Sequence, residues 1–205
     1  MDYITHPKAI EQKSMEIISE LIGNLGVTPE QEKVIKRVVH TTGDPEYAKL
    51  VVVHPEAIGT GLSALKKGCK IFTDVNMVKI GINSKRLTAL GGEVHCYINH
   101  PEVIAEAEQT GQTRAMTAIA RVAQELDGNI LAIGNAPTAL FAVLSAVREL
   151  GIRPALIVGI PVGFVGAAES KEALVESGIP YITVRGTKGG STITVSVINA
   201  LLYMT

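Results

Sequence analysis

Short apolar segments alternate along this chain with longer segments in which apolar residues recur every three or four positions. The first pattern is typical of buried strands and the second of amphipathic helices. Strands that alternate with helices form a mainly parallel sheet covered on both faces. The predicted strands are 69–74, 93–98, 129–134, 155–160 and 181–185, and the helices that follow them are about 101–110, 113–126, 136 or 137 to 150, 168–177 and 191–203.

Extra helices are predicted before the first of these strands. One has a capping box with proline at its first position (28–31) and ends near Gly43. The others cover about 7–23 and 55–67. One stripe of the first helix is formed by Ile10, Ser14, Ile17, Ile18 and Leu21. We therefore expect a single α/β domain, 1–205, in which an open, mainly parallel sheet has helices on both faces and extra N-terminal helices beside it.

Composition narrows the classes of function. The chain has 205 residues, 19 Lys and Arg against 20 Asp and Glu, and a net charge of −1, which argues against a generally basic nucleic-acid binder. Its 46% hydrophobic content can build a sizeable core. Aromatic residues are only 4% and tryptophan is absent, so a stacking platform for single strands is not expected. No nucleic-acid partner is predicted.

Residues 128–147 carry no charge over 20 positions, the length of a membrane-spanning helix, but only 13 of them are apolar. A strand, a turn and a buried helix explain this stretch better. The N-terminus has no apolar signal region. Cys69 and Cys96 lie in apolar or β-branched runs and are expected to be reduced thiols. These features predict a cytoplasmic protein without a membrane partner.

Ligands in open α/β sheets bind outside the carboxyl ends of the strands, so the segments that follow the strands are candidate sites. These segments are 74–77, 134–138, 161–166 and 185–191. Most are rich in Gly, Asn or Pro, which lets backbone N–H groups approach an anionic ligand closely. The last segment does not have the spacing of a Walker loop, but Arg185 and Lys188 flank a predicted helix N-terminus there.

Two other motifs resemble known ligand sites. Residues 59–64 read GxGxxA and Asp74 ends the next strand, which imitates a dinucleotide fingerprint. However, no strand directly precedes the glycines, and close packing of a helix is the alternative. The residues His95, Cys96 and His100 lack the CxxC or HxxxH spacing of metal ligands, so no protein-bound metal is expected.

Arg37 and His40 are three residues apart and therefore neighbours on the second helix. They lie outside its apolar stripe. Histidine is the commonest acid–base side chain near neutral pH, although a solvated histidine favoured by the helix dipole is the alternative. Ser14 is a hydroxyl on an apolar stripe, where it either bonds to the carbonyl four residues earlier or faces a ligand.

Five segments of the chain resemble the precorrin-8X methylmutase and cobalt-precorrin-8 methylmutase family. They are RVVHTTGDPEY (37–47), TDVNMVKIGI (73–82), IGNAPTALF (133–141), PVGFVGAAESK (161–171) and RGTKGGS (185–191). The resemblance implies an isomerase of corrin-ring biosynthesis that moves a methyl group from carbon 11 to carbon 12, giving hydrogenobyrinate or cobyrinate. It also implies a homodimer and a tetrapyrrole polycarboxylate substrate. No dissociable cofactor is implied, since cobalt, where present, belongs to the substrate.

The resemblance also assigns site residues. The family's acid–base histidine falls on His40, and its substrate-binding serine and arginine fall on Ser14 and Arg37. The remaining predicted substrate-binding residues are Thr41, Arg114, Asn135, Arg185, Gly189, Gly190 and Ser191, of which the arginines would meet the substrate carboxylates. Two alternatives remain at this point, a non-catalytic tetrapyrrole carrier and a nucleotide-dependent oxidoreductase that uses the glycines of 59–64.

Overall fold

The computed structural model describes residues 4–205, in which six strands form one sheet. The strands are β1 (Val51–Val53), β2 (Lys70–Thr73), β3 (Glu93–Cys96), β4 (Ile130–Ile133), β5 (Leu156–Gly159) and β6 (Tyr181–Val184). Their spatial order is β1-β6-β5-β4-β2-β3, and every pairing except β1 with β6 is parallel. The five predicted strands and the mainly parallel sheet are therefore confirmed.

Helices surround this sheet. They are α1 (Pro7–Ile22), α2 (Pro29–Thr42), α3 (Tyr47–Leu50), α4 (Ala57–Lys66), α5 (Asn76–Gly81), α6 (Ser84–Ala89), α7 (Pro101–Thr110), α8 (Arg114–Arg121), α9 (Pro137–Leu150), α10 (Ala167–Glu176) and α11 (Ser191–Met204), with a 3-10 helix at Ala123–Leu126. No helix among residues 4–205 is long and apolar enough to cross a bilayer. The uncharged stretch 128–147 is divided between β4, a turn and α9.

Both faces of the sheet are buried because successive strand side chains point to opposite sides. In β4, Ile130 and Ala132 pack with the apolar faces of α2, α4 and α11, whereas Leu131 and Ile133 pack with α8, α9 and α10. All four of these side chains are fully buried. The sheet therefore separates two helical layers, and its carboxyl edge is the place where loops from both layers meet.

The first helix differs from its expected packing. Of the predicted stripe, only Ile18 is buried, while Ile10, Ile17 and Leu21 are 44%, 45% and 62% exposed. The structure confirms the helix predicted over about 7–23, but its apolar stripe contributes only Ile18 to the core of the single chain. Most of this apolar face is thus uncovered.

The glycines of 59–64 lie inside α4 rather than in a loop between a strand and a helix. Gly61 is buried, and a Cβ atom there would come within 2.8 Å of the Leu156 side chain on β5. Close packing of this helix on the sheet therefore explains the motif. The segment lacks the strand-to-helix turn that a dinucleotide fingerprint requires.

Candidate active site

Loops at the carboxyl ends of β4 and β6 touch one another. A Cβ atom on Gly134 would lie 2.8 Å from the Cα atom of Ser191, the first residue of α11. Glycine at this position thus permits the close approach. The contact brings together two predicted substrate-binding residues from distant parts of the sequence, Ser191 and the exposed Asn135.

The loop after β4 does not offer its N–H groups to a ligand. Asp74, which is fully buried at the end of β2, accepts hydrogen bonds from the backbone N–H groups of Gly134, Asn135 and Ala136 at 2.9, 2.8 and 2.7 Å. Burial raises the pKa of Asp74, and these three bonds oppose that effect. The expectation that this loop approaches an anionic ligand through these amides is therefore wrong, because a carboxylate of the chain already fills the position.

The 185–191 loop is built on backbone contacts with the end of β5. Gly190 has φ 128° and its N–H group donates to the Ile160 carbonyl at 2.9 Å. A Cβ atom on Gly189 would lie 2.5 Å from the Pro161 carbonyl oxygen. Both glycines thus serve to seat the loop. Arg185 at its start is exposed, and Ser191 at its end is partly exposed.

Two lysines fix this loop. Lys188 pairs with Asp44 at 2.9 Å and Glu46 at 3.1 Å, and these hydrogen bonds raise its pKa to about 12. The Nζ atom of Lys171, on α10, donates to the Lys188 carbonyl at 2.7 Å, and burial lowers the pKa of Lys171 to about 8. Because Asp44 follows α2 directly, the side chain of Lys188 joins the loop to the end of that helix.

The end of α2 carries the predicted acid–base group. Val38 and Val39 are buried at 0% and 2% exposure, which fixes the rotation of the helix and leaves His40 exposed. Gly43 ends the helix in the left-handed conformation with φ 66°. Thr41, the next predicted residue, is partly exposed.

Helix α1 lies beside α2 and contributes further residues next to His40. Ser14 and His40 line one cavity of about 230 Å³, together with Ile17, Ile18, Leu21, Val39, Gly43 and Pro45. One turn before His40, the guanidinium of Arg37 binds the Glu11 carboxylate at 2.8 Å. The hydrogen bond and the positive charge of Arg37 hold the pKa of Glu11 below its usual value. The structure thus places Ser14 and His40 on one cavity, while Arg37, one turn earlier on α2, lines a neighbouring cavity.

Arg114 lies apart from this group. It begins α8, whose apolar residues pack on the opposite face of the sheet from those of α2. The preceding residue, Thr113, shares a hydrogen bond of 2.8 Å with Thr138 at the start of α9. Arg114 is exposed, and among residues 4–205 neither Arg114 nor Arg185 forms an ion pair. These two arginines therefore differ from Arg37 and Lys188, which are both ion-paired.

Sequence reasoning missed the roles of three charged residues at this site: Glu11, Asp74 and Lys171. The sequence placed Asp74 at a strand end and as the acidic residue of the imitated dinucleotide fingerprint, and its strand-end position was the available signal. The pairing of Glu11 with Arg37 spans two helices, so no spacing rule could reveal it. Across the described part of the chain, no group of three His, Cys, Asp or Glu side chains is arranged as a metal site.

Comparison with known proteins identifies the family. The sequence profile of precorrin-8X methylmutase matches residues 9–204. The chain is 43% identical to a cobalt-precorrin-8 methylmutase of Priestia megaterium, over 95% of this chain and 87% of that protein. It is 41% identical to a precorrin-8X methylmutase of a Sinorhizobium species, over 98% and 96% of the two chains.

Comparison with a solved structure identifies the same family. The precorrin-8X methylmutase of Thermus thermophilus superposes with a TM-score of 0.89 at 42% identity, covering 96% of this chain and 95% of that one. The likeness therefore includes the fold and nearly the full length. The chain belongs to the precorrin-8X methylmutase family and is an isomerase of cobalamin biosynthesis.

Proposed function

We propose that this enzyme moves the methyl group of precorrin-8X or cobalt-precorrin-8 from carbon 11 to carbon 12, with His40 as the proton donor and acceptor. The observation that carries the proposal is the shared cavity of Ser14 and His40 beside Arg37. The reaction requires no dissociable cofactor. Cobalt, where it is present, arrives within the substrate and leaves within the product.

The chemistry suits a single proton-transfer group. In the 1,5-sigmatropic shift, the bond from the methyl group to carbon 11 breaks as the bond to carbon 12 forms, and no stable ion accumulates. The protein has to select the reactive tautomer and hold the ring. An imidazole can give a proton to a ring nitrogen or carbon, or take one back, near neutral pH. Ser14, Thr41, Asn135 and the 189–191 segment bind and orient the macrocycle in this proposal.

We further propose that a second copy of the chain completes the site. The 230 Å³ cavity is smaller than the roughly 300–1,000 Å³ of typical ligand pockets, and the macrocycle needs more room. The uncovered apolar face of α1 borders this cavity through Ile17 and Leu21. Arg114 sits across the sheet from His40, so we assign it to the site of the partner chain in a homodimer.

The catalytic role of His40 is tested by replacing it. We expect His40→Ala to lower the saturated rate by about 10²–10⁴-fold while product affinity changes little, because acid–base catalysis acts in the transition state. His40→Asn should not restore the rate, since an amide cannot transfer the proton. His100→Ala is the matched control, because His100 is also exposed but lies at the start of α7.

The pH dependence adds a second readout. If the protonated imidazole is the active form, the wild-type rate falls as pH rises through the range in which histidine loses its proton. A His40→Asn enzyme with near-normal turnover and the same pH profile would show that His40 is not the acid. A wild-type protein that binds substrate but never converts it would instead favour a tetrapyrrole carrier.

The free thiols of Cys69 and Cys96 support a cytoplasmic location as part of this proposal.

A further inference from the structure

Lys171 is a buried lysine that the reaction itself does not use. Its side chain is only 1% exposed, and among residues 4–205 it forms no ion pair. Its one hydrogen bond goes to the Lys188 carbonyl at 2.7 Å. Lysine is almost never fully buried unless it is paired, and an apolar residue of similar size would fill this space at a lower free-energy cost. Packing alone therefore does not explain a lysine here.

The partner of Lys171 is the middle of the 185–191 loop. Backbone bonds hold this loop on one side, from Gly190 to Ile160 at 2.9 Å and from Gly163 to Thr187 at 3.2 Å. The Lys188 side chain holds it toward Asp44, at the end of the helix that carries His40. The ammonium of Lys171 binds the same residue, Lys188, through its backbone. The loop is thus fixed between α10 and the end of α2.

We propose that Lys171 is a positioning residue of the substrate site. Through the Lys188 carbonyl it keeps the 185–191 loop in place, so that Arg185 and Ser191 meet the macrocycle beside the end of α2. This inference rests on the proposed role of the loop in substrate binding. The positive charge of Lys171 has no carboxylate partner within 4.0 Å among the described residues, and it therefore also favours anionic groups at the loop.

The test is Lys171→Met, which keeps the length of the side chain and removes the ammonium. We expect the KM for substrate and the Kd for product each to rise about tenfold, while kcat stays within about twofold, because the loop binds ground and transition states alike. The midpoint of chemical unfolding should change little, since loss of the hydrogen bond to the Lys188 carbonyl opposes the gain from removing a buried charge. Lys66→Met, on an exposed lysine of α4, is the matched control.

A product affinity within twofold of wild type in Lys171→Met would overturn the positioning role. So would a parallel loss of affinity and stability, because that result describes a merely structural lysine. Lys171→Gln is judged by the same criteria if the methionine variant does not fold. Amide hydrogen exchange of the wild-type protein is independent of both variants, and free exchange of the Gly190 amide, which donates to the Ile160 carbonyl, would also overturn the proposal.

Arg185→Ala separates this inference from the proposed site. If Arg185→Ala weakens product binding and Lys171→Met does not, the loop binds the substrate but Lys171 does not position it. If neither variant changes the affinity, the loop is not part of the site and the broader proposal fails with it. We expect both variants to weaken binding, with Arg185→Ala causing the larger loss because it removes a direct contact.

Discussion

The guanidinium of Arg37 already has a carboxylate partner before any substrate arrives. Its bond to Glu11 is 2.8 Å long, but both side chains are partly exposed. Such a bridge contributes at most about 1 kcal/mol, so a substrate carboxylate can replace it. If Arg37 binds substrate as proposed, Glu11 holds its guanidinium in the free enzyme and competes with the substrate carboxylates for it.

This competition leads to a prediction for the two residues. Arg37→Ala should weaken the binding of substrate and the binding of product by similar amounts, since both molecules carry the same carboxylates. Glu11→Gln should tighten product binding by up to about fivefold, because it removes a competing charge worth at most about 1 kcal/mol. Titrating each variant with product and following the absorbance would measure both affinities. Unchanged affinity in Arg37→Ala, or weaker binding in Glu11→Gln, would contradict the assignment.

Single residues were the hardest to predict from the sequence. The resemblance assigned Ser14, Arg37 and His40 to one site. Helical spacing alone did not decide between a functional and a structural role for His40 or for Ser14. Lys171 occupies a helix with few large apolar residues, and nothing in its spacing distinguishes a buried lysine from a solvated one. Contacts such as Lys171 with Lys188 depend on how distant segments pack, which the local pattern does not encode.

Among the elements, α1 carries an exposed apolar face next to the candidate site. Ile17 and Leu21 are 45% and 62% exposed although they lie on its apolar stripe and border the cavity of His40. Replacing them therefore removes little burial within the chain. A face with this composition is typical of a surface that another molecule covers.

We predict that Ile17→Ser with Leu21→Ser lowers the stability of the isolated chain by less than about 1 kcal/mol, as expected for exposed positions. The same double variant should weaken dimerisation, product binding or both by tenfold or more, about 1.4 kcal/mol. Chemical unfolding and sedimentation measure the two effects separately. Ile18→Ser is the contrasting variant, because Ile18 is buried in the core at 7% exposure. Unchanged association and binding in the double variant would contradict this role of α1.

Elements with a strong local signal were predicted well, and three short elements without one were not. The capping box of α2 and the apolar runs of the parallel strands are strong local signals, and the structure confirms them. Strand β1 has three residues, while α5 and α6 have six each. Segments this short contain too few positions for a period to be recognised. Their conformation depends on the sheet edge and the loops against which they pack.

At the scale of the whole molecule, the separation of Arg114 from His40 makes the dimer testable. If each site combines His40 of one chain with Arg114 of the other, His40→Ala and Arg114→Ala homodimers are both impaired. A mixed dimer of the two variants contains one intact site. We therefore expect mixing under conditions that exchange subunits to restore up to about a quarter of the wild-type activity, as statistical pairing requires.

The control is to mix each variant with itself under the same conditions. Sedimentation of the wild-type enzyme across concentrations shows whether activity follows the dimer. A strictly monomeric protein with full activity would refute the shared site. Absence of recovery from a demonstrated mixed dimer would place Arg114 in the same site as His40, or in none.

The carboxylate of Asp74 gives the enzyme a form of selectivity that involves no substrate contact. Many α/β proteins use the amides after a central strand to bind phosphate esters, whereas here Asp74 accepts the hydrogen bonds of those amides. Nucleotides and sugar phosphates, which are abundant in cells, therefore find the amides of this loop already bonded to the Asp74 side chain. We therefore expect phosphate esters and phosphate buffers not to inhibit the enzyme by binding at this loop.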